Sequence, residues 1–516
     1  MASVDVAVLI VGGGPVGLTA RALLARWGVR SLLVEKRGEL SPFPRSRLVN
    51  VRSMEIFRQL GLGAEIKALA FGPEYGRIRF CDTLLDRDFA MAEMVGVNAA
   101  IAESPEIGVV TSQDRLEPVL VDAANAELRF GVELIDVSEA LDRVSVSLID
   151  HGRGETSRVR ARYVLAADGA SSTVRERLGI GTSGPGPIAS FTTVVFDADL
   201  APWCAHRPAG VYFTARGAFA PLYPEGGWAW FLPTPEDADR TDWRDLVTRA
   251  LGPIDVDVLR VQHWTMNAFV AERFCDGRVL LAGDAAHAIP ITGGLGMNAG
   301  IADAHNLCWK LAGIVHGWAQ PGLLDTYETE RKPVADRTLQ QAAANTKLVM
   351  EVQGRGREQR ATGASPTEIE LPWSERYFAQ LGLVLGVSYN SGAVLTDGTD
   401  APVPSDPVTD YIPTGRPGHR APHVWLDDGR SSLDALGEWF TLLTPDLDSW
   451  GQHTATSWPL HVETLSQDQA DLCGLGPRGA LLVRPDGHVG ARWRDGPPSD
   501  AALQRALAVI SFSRSP

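Results

Sequence analysis

The chain has 516 residues, 45% hydrophobic and 22% charged, with 48 Lys and Arg against 63 Asp and Glu and a formal net charge of −15. This is globular composition; it excludes disorder, collagen and coiled coil as overall descriptions, and the acidic balance argues against a nucleic-acid partner. The cysteines (Cys81, Cys204, Cys275, Cys308, Cys473) are odd in number and lack metal-site spacing, which speaks against a disulfide framework and for a reduced, cytoplasmic setting.

The first element is a strand, Val6–Val11, a continuous aliphatic run of the kind buried on both faces of a parallel sheet. Gly12-Gly13-Gly14-Pro15-Val16-Gly17 follows, then a helix over Leu18–Trp27 ended by Gly28, then a strand over Ser31–Glu35. This is a βαβ unit with a right-handed crossover. Residues 6–20 are uncharged, but the stretch follows Asp5 and holds four glycines and a proline, which suits neither a signal peptide nor a membrane span. The strand-then-turn pattern returns at Val159–Gly169 and at Arg278–Ala282, before a long helix beginning near Asn298. The dinucleotide-type fold is therefore expected to be discontinuous. Residues 183–268 alternate like antiparallel strands (Thr192–Asp197, Gly210–Thr214, Trp228–Leu232) and form the insert. A Gly/Asp/Pro-rich stretch at 396–408 reads as a linker. Beyond it, strands over Gly437–Leu443 and Gly479–Arg484 and a helix over Ala501–Ser511 make a compact α/β unit. The expected domains are 1–182 and 269–395, two parts of one dinucleotide-binding unit; 183–268, a sheet domain; and 396–516.

Gly12-x-Gly14-x-x-Gly17 lies between strand and helix, where a pyrophosphate needs it. The first glycine permits the turn, the second lets phosphate approach the backbone, and the third lets helix and strand pack closely. Glu35 ends the next strand, where a carboxylate can accept bonds from ribose hydroxyls. Asp284, at a strand end in Leu280–His287, precedes the glycine-rich Thr292–Asn298 that opens a helix. It suits a ribityl chain, and the helix N-terminus suits negative charge on a flavin ring.

The order and spacing of three motifs, Gly12–Gly17, Ala167–Arg175 and Gly283–Asn298, resemble the class A, single-component FAD aromatic hydroxylases, the family of para-hydroxybenzoate, phenol and polyketide hydroxylases. Pro44–Arg47 with Arg52–Glu55 resembles the family's first crossover, and Ser112–Glu117 its next helix start. Arg416–Pro422, Phe440–Leu443 and Val483–Gly487 resemble the thioredoxin-like domain that ends its longer members; Cys473 stands alone there, so that domain is expected to be without redox chemistry. The resemblance implies an α/β fold: a discontinuous Rossmann-like FAD domain with an inserted, mostly antiparallel substrate sheet. It implies non-covalent FAD held by Gly12, Gly14, Pro15, Gly17, Glu35, Lys36, Arg45, Gln113, Asp168, Asp284, Pro290, Gly294, Leu295, Gly296, Met297 and Asn298, with Asp168-Gly169 also serving NADPH or NADH. The activity it implies is monooxygenation: O2 reacts with reduced flavin to give a C4a-hydroperoxide that hydroxylates a phenol or polycyclic aromatic, in natural-product tailoring or aromatic catabolism, by a monomer or homodimer. Departures are Ile289-Pro290 where many relatives have Pro-Pro, Leu295 where many have Gln, and Arg47 where phenol hydroxylases place an acid.

Two neighbouring activities use the same scaffold. One is Baeyer–Villiger oxidation. The other is halogenation, because Trp228–Pro233 resembles a halogenase signature; that chemistry also needs a lysine, for which Lys67 is the candidate. Trp228 and Trp230 share one strand face and, with Tyr212 and Tyr223, are expected to line the substrate pocket. His287 is read as structural, and no residue is assigned as catalytic base.

Overall fold

The computed structural model describes residues 4–140, 142–252, 254–362, 380–451 and 456–513. Its first sheet is built around β1 (Val4–Val11), which pairs in parallel with Glu155–Ala166 on one side and with β2 (Ser31–Glu35) on the other. Val8, Leu9 and Ile10 have no solvent exposure, as a strand covered on both faces requires. Glu127–Phe130 and Val279–Leu281 extend the parallel sheet at either side. Helix α1 (Pro15–Arg26) follows β1 directly, with Pro15 in its first turn, where a missing N–H costs nothing. Beyond its end Gly28 takes φ +66°, the left-handed position that closes helices.

The second sheet has eight strands in the order His287–Ala288, Asp257–Ala271, Thr182–Asp197, Gly226–Pro233, Gly217–Tyr223, Val211–Thr214, Arg77–Phe80 and Ala90–Glu93. Residues 183–268 supply most of it, but not all. Arg77–Phe80 and Ala90–Glu93 come from the segment assigned to the first part of the dinucleotide domain, and His287–Ala288 from its second part. Val211–Thr214 would otherwise leave a bare edge; pairing in parallel with Arg77–Phe80 covers it.

The C-terminal unit has a four-stranded sheet ordered Leu460–Thr464, Phe440–Thr444, Ala480–Val483, Val489–Trp493. The first pair is parallel and the others antiparallel, with helix Ala502–Ile510 closing the chain. This is the thioredoxin-like arrangement. The stretch 396–408 has no regular element, yet it is tied down: Arg492 Nε donates to Asp397 at 2.6 Å. One continuous core runs from the first sheet through helix Gly296–His316 into this unit, where Trp309 meets Phe440 edge-on.

Candidate active site

A cavity of about 760 Å³ opens where the C-terminal ends of β1 and β2 meet the second sheet. That is where ligands bind in open α/β sheets, and the volume is in the upper part of the usual ~300–1,000 Å³ range. The glycine turn shapes one end. A Cβ on Gly12 (φ +107°) would lie 2.3 Å from the Ala167 carbonyl oxygen, and one on Gly17 would lie 2.0 Å from that of Gly12. In front of Gly14 nothing lies within 4 Å, so backbone faces open cavity. Glu35 steadies the turn by accepting the Gly13 N–H at 2.6 Å. Pro15, Lys36, Arg45 and Gln113 also line this end.

Asp284 is exposed to the cavity and accepts no hydrogen bond from a described residue. Enclosure by protein pushes its carboxyl above the usual range, opposed by the charges of His287 and Arg45. Its turn is held from behind. Asp303, fully buried, accepts from Gly283 N–H at 3.1 Å, His287 Nε2 at 2.6 Å and Arg331 Nε at 2.7 Å. Burial alone would raise the Asp303 carboxyl; His287 and Arg331 outweigh it and hold it at about 2. His287 is buried and off the cavity wall, in a structural position. Gly294, Leu295, Gly296 and Met297 line the cavity where helix Gly296–His316 begins, and the first N–H groups of that helix have no partner within it.

Of the other expected cofactor residues, Pro290 is off the wall, while Asp168 and Asn298 have side chains engaged by protein. The Asn298 side chain is spent on protein: it accepts from Asn50 N–H and Ser53 Oγ and donates to the Leu48 and Gly294 carbonyls. Pro290 is buried and does not reach the wall. Asp168 does line the cavity, but one carboxylate oxygen takes the Ser172 hydroxyl at 2.6 Å and the other the Val174 N–H at 3.1 Å.

The four expected pocket residues are all off the wall. Tyr212, Trp228 and Trp230 form a separate core on the far face of the second sheet. Trp230 stacks on Phe219 at 5.3 Å, and the Tyr212 hydroxyl donates to the Arg207 carbonyl. Tyr223 donates to Asp114 at 2.6 Å and lies under Arg115. A shift of one residue along a strand reverses the face, and Phe213 and Phe231, the neighbours of Tyr212 and Trp230, line the cavity instead. Strand alternation was the signal that could have found them; which parity faced the site was not legible. Arg47 lines the cavity as well, clamped by donation to the Gly210 and Pro221 carbonyls. Lys67 is ion-paired to buried Glu106 at 2.5 Å. Among the described residues Lys36 is the only lysine on the wall, beside the glycine turn.

Residues 5–342 match the FAD binding domain family, and residues 414–511 match the C-terminal domain family of aromatic-ring hydroxylases. The chain belongs to the FAD-dependent aromatic hydroxylases. The hydroxylase is 34% identical to tetracenomycin B2 monooxygenase-dioxygenase of Streptomyces olivaceus over 99% of both chains. It is 31% identical to 2,4-dichlorophenol 6-monooxygenase of Delftia acidovorans, covering 98% of this chain and 99% of the relative. The crystal structure of the flavin-dependent monooxygenase PieE in complex with FAD and substrate superposes with a TM-score of 0.90 at 33% identity, covering both chains fully. Among the described residues no helix is long and apolar enough to cross a membrane, and no cluster of three or more His, Cys, Asp or Glu could hold a metal.

Proposed function

We propose that this hydroxylase adds one oxygen atom from O2 to a flat, electron-rich aromatic of several fused rings, with NADH or NADPH as reductant, working as a monomer or homodimer in the cytoplasm. One observation carries the reading. A single cavity joins a dinucleotide turn to a broad, largely apolar sheet face, so cofactor and substrate can share one water-poor space.

The residues fit FAD. The open backbone at Gly14 admits a pyrophosphate, and Glu35 stands where an adenosine ribose would lie. The free carboxylate of Asp284 suits ribityl hydroxyls. Gln113 gives its Nε2 to Glu117 at 2.6 Å and so keeps its carbonyl oxygen for the site. Arg45 donates no side-chain hydrogen bond to a described residue, which leaves its guanidinium for phosphate or for the incoming nicotinamide nucleotide. The N–H groups at Gly296 and Met297 favour negative charge on the ring edge that faces them. FAD supplies the oxygen activation; the protein supplies binding, orientation and exclusion of water.

The test is reductant consumption by the FAD-loaded enzyme against a panel of naphthols and hydroxyanthraquinones. The expected result is a sharp rise with one member and a product heavier by one oxygen atom, its carbon rings intact by NMR. A ring-expanded lactone would replace hydroxylation with Baeyer–Villiger chemistry. Consumption indifferent to every aromatic would overturn the reading.

A further inference from the structure

We infer that one cross-strand row of the second sheet sets which substrate fits, with Ala218 as its size gate and Thr193 and Gln262 as its polar grip. The inference rests on the reading of this cavity as the site of a flat aromatic. The register gives the row directly: Phe213 pairs with Ala218, Ala218 with Phe231, Phe231 with Thr193, and Thr193 with Gln262. Residues directly opposite one another share a face, and all five line the cavity. Five strands at ~4.8 Å spacing make a row about 19 Å long, a length that a single ring covers only in part.

The row changes character along its length. Phe213 and Phe231 stand two strand spacings apart, about 10 Å, with only a methyl group between them at Ala218. Phe213 is steadied from its outer side by Phe80, its register partner on the next strand, which stacks on it at 5.3 Å and 22°. A terminal ring can therefore settle over Ala218 between two aromatic walls, and a larger side chain there would fill that space. At the other end the Thr193 oxygen accepts the Trp264 Nε1–H at 3.0 Å. Trp264 is itself stacked on Phe191 at 5.3 Å. Thr193 keeps its own hydroxyl proton to donate. Gln262 makes no side-chain hydrogen bond among the described residues, and its amide can both donate and accept. The ligand that suits this row has a bare aromatic ring at one end and a carbonyl or phenolic oxygen toward the other.

Binding of 1-hydroxyanthraquinone and of phenol to the FAD-loaded enzyme, followed by equilibrium dialysis, tests this without turnover. Ala218→Phe is expected to raise the Kd for 1-hydroxyanthraquinone by at least about tenfold, and by more than it raises the Kd for phenol, whose single ring can settle elsewhere along the row. Thr193→Val should weaken 1-hydroxyanthraquinone about tenfold, and Thr193→Ser should restore it. FAD content and circular dichroism report whether each variant folds; if Ala218→Phe does not, Ala218→Val should give a smaller increase of the same sign. Unaltered 1-hydroxyanthraquinone affinity in the folded Ala218 variants overturns the inference alone. Failure of the unsubstituted enzyme to bind 1-hydroxyanthraquinone overturns it together with the reading beneath it.

Discussion

At Asp284 the chain leaves a buried strand and presents a carboxylate to the cavity with no hydrogen-bond donor among the described residues, while Asp303 fixes the turn from behind through Gly283 N–H. Charge-assisted bonds to ribityl hydroxyls there are worth ~1.5–3 kcal/mol. Asp284→Ala is therefore expected to weaken FAD about ten- to hundredfold in a fluorescence titration of the apoenzyme, with the fold intact; unchanged affinity would place the ribityl chain elsewhere. Glu117 carries a pH signature. It is 2% exposed, and burial raises its carboxyl from 4.5 to about 7 against the opposing Gln113 hydrogen bond and the charge of Arg45. The folded state binds this proton more tightly than the unfolded state does. The stability it confers is thus full below about pH 4.5 and is lost as pH rises through about 7, by up to about 3 kcal/mol. Glu117→Gln removes that loss. Urea denaturation should find the variant equal to wild type near pH 4.5 and more stable at pH 8; parallel pH profiles would refute the assignment. Residues of this kind were legible in the sequence where chemistry dictates type: only glycine fits at Gly12 and Gly17, and an acid at a strand end before a glycine-rich turn is distinctive. Asn298 carried the same kind of signal through its backbone at the helix start; that its side chain holds Leu48, Asn50 and Ser53 is visible only once those residues are adjacent.

Elements were read more surely than the faces they present. The strand Ser31–Glu35 and the helix ending at Gly28 follow from local pattern, because a buried aliphatic run and a left-handed glycine leave little choice. The strand expected over Trp228–Leu232 runs over Gly226–Pro233, but alternation alone offers two equivalent faces, and the tryptophans face the core. Arg77–Phe80 and Ala90–Glu93 joined the second sheet through pairing with a strand about 130 residues away in sequence, a partnership no local pattern encodes. Helix Gly296–His316 shows what such long-range contact demands. A Cβ on Gly300 would meet Val16 Cγ2 at 2.5 Å and Gly283 Cα at 2.9 Å, so this glycine lets the helix pack against α1 and the Asp284 turn at once. Gly300→Ala must push these apart, costing about 1–3 kcal/mol. The expected readout is a lower Tm together with weaker FAD binding, since the displaced elements carry Asp284 and the glycine turn. A lower Tm with FAD affinity untouched would confine the contact to packing.

At the scale of the whole molecule, the C-terminal domain is joined to the flavin domain by charge as well as by core. Arg484 has no solvent exposure and donates to both oxygens of Glu330, at 2.6 and 2.9 Å, and to Asp486. Glu330 lies on helix Asp325–Ala361 and also receives Lys310 Nζ, at 2.8 Å, from helix Gly296–His316. A second bridge runs from Arg420 Nε to Glu55 at 2.9 Å, and a third from Arg58 to Asp434. Cys473, the lone cysteine of this domain, is buried and its thiol pushed up to about 12, which fits a domain that packs rather than one that exchanges electrons. The sequence motif Val483–Gly487 marked this domain, but its partner Glu330 sits 154 residues earlier on a long helix with nothing local to single it out. Burying such a cluster is repaid only while every member is paired, so removing one cation leaves carboxylates stranded, at a cost of about 3–5 kcal/mol. Arg484→Ala removes the guanidinium from Asp486 and two of the five hydrogen bonds that Glu330 accepts from described residues at the junction itself. Urea unfolding followed by tryptophan fluorescence is well placed to see this, because Trp309, Trp318 and Trp439 pack across the same junction. The wild type should unfold in one transition, and Arg484→Ala should split it, the C-terminal domain separating first at lower urea. A single transition shifted by less than about 1 kcal/mol would mean that the hydrophobic contact of Trp309 and Phe440 holds the domains together without help from the ion pairs.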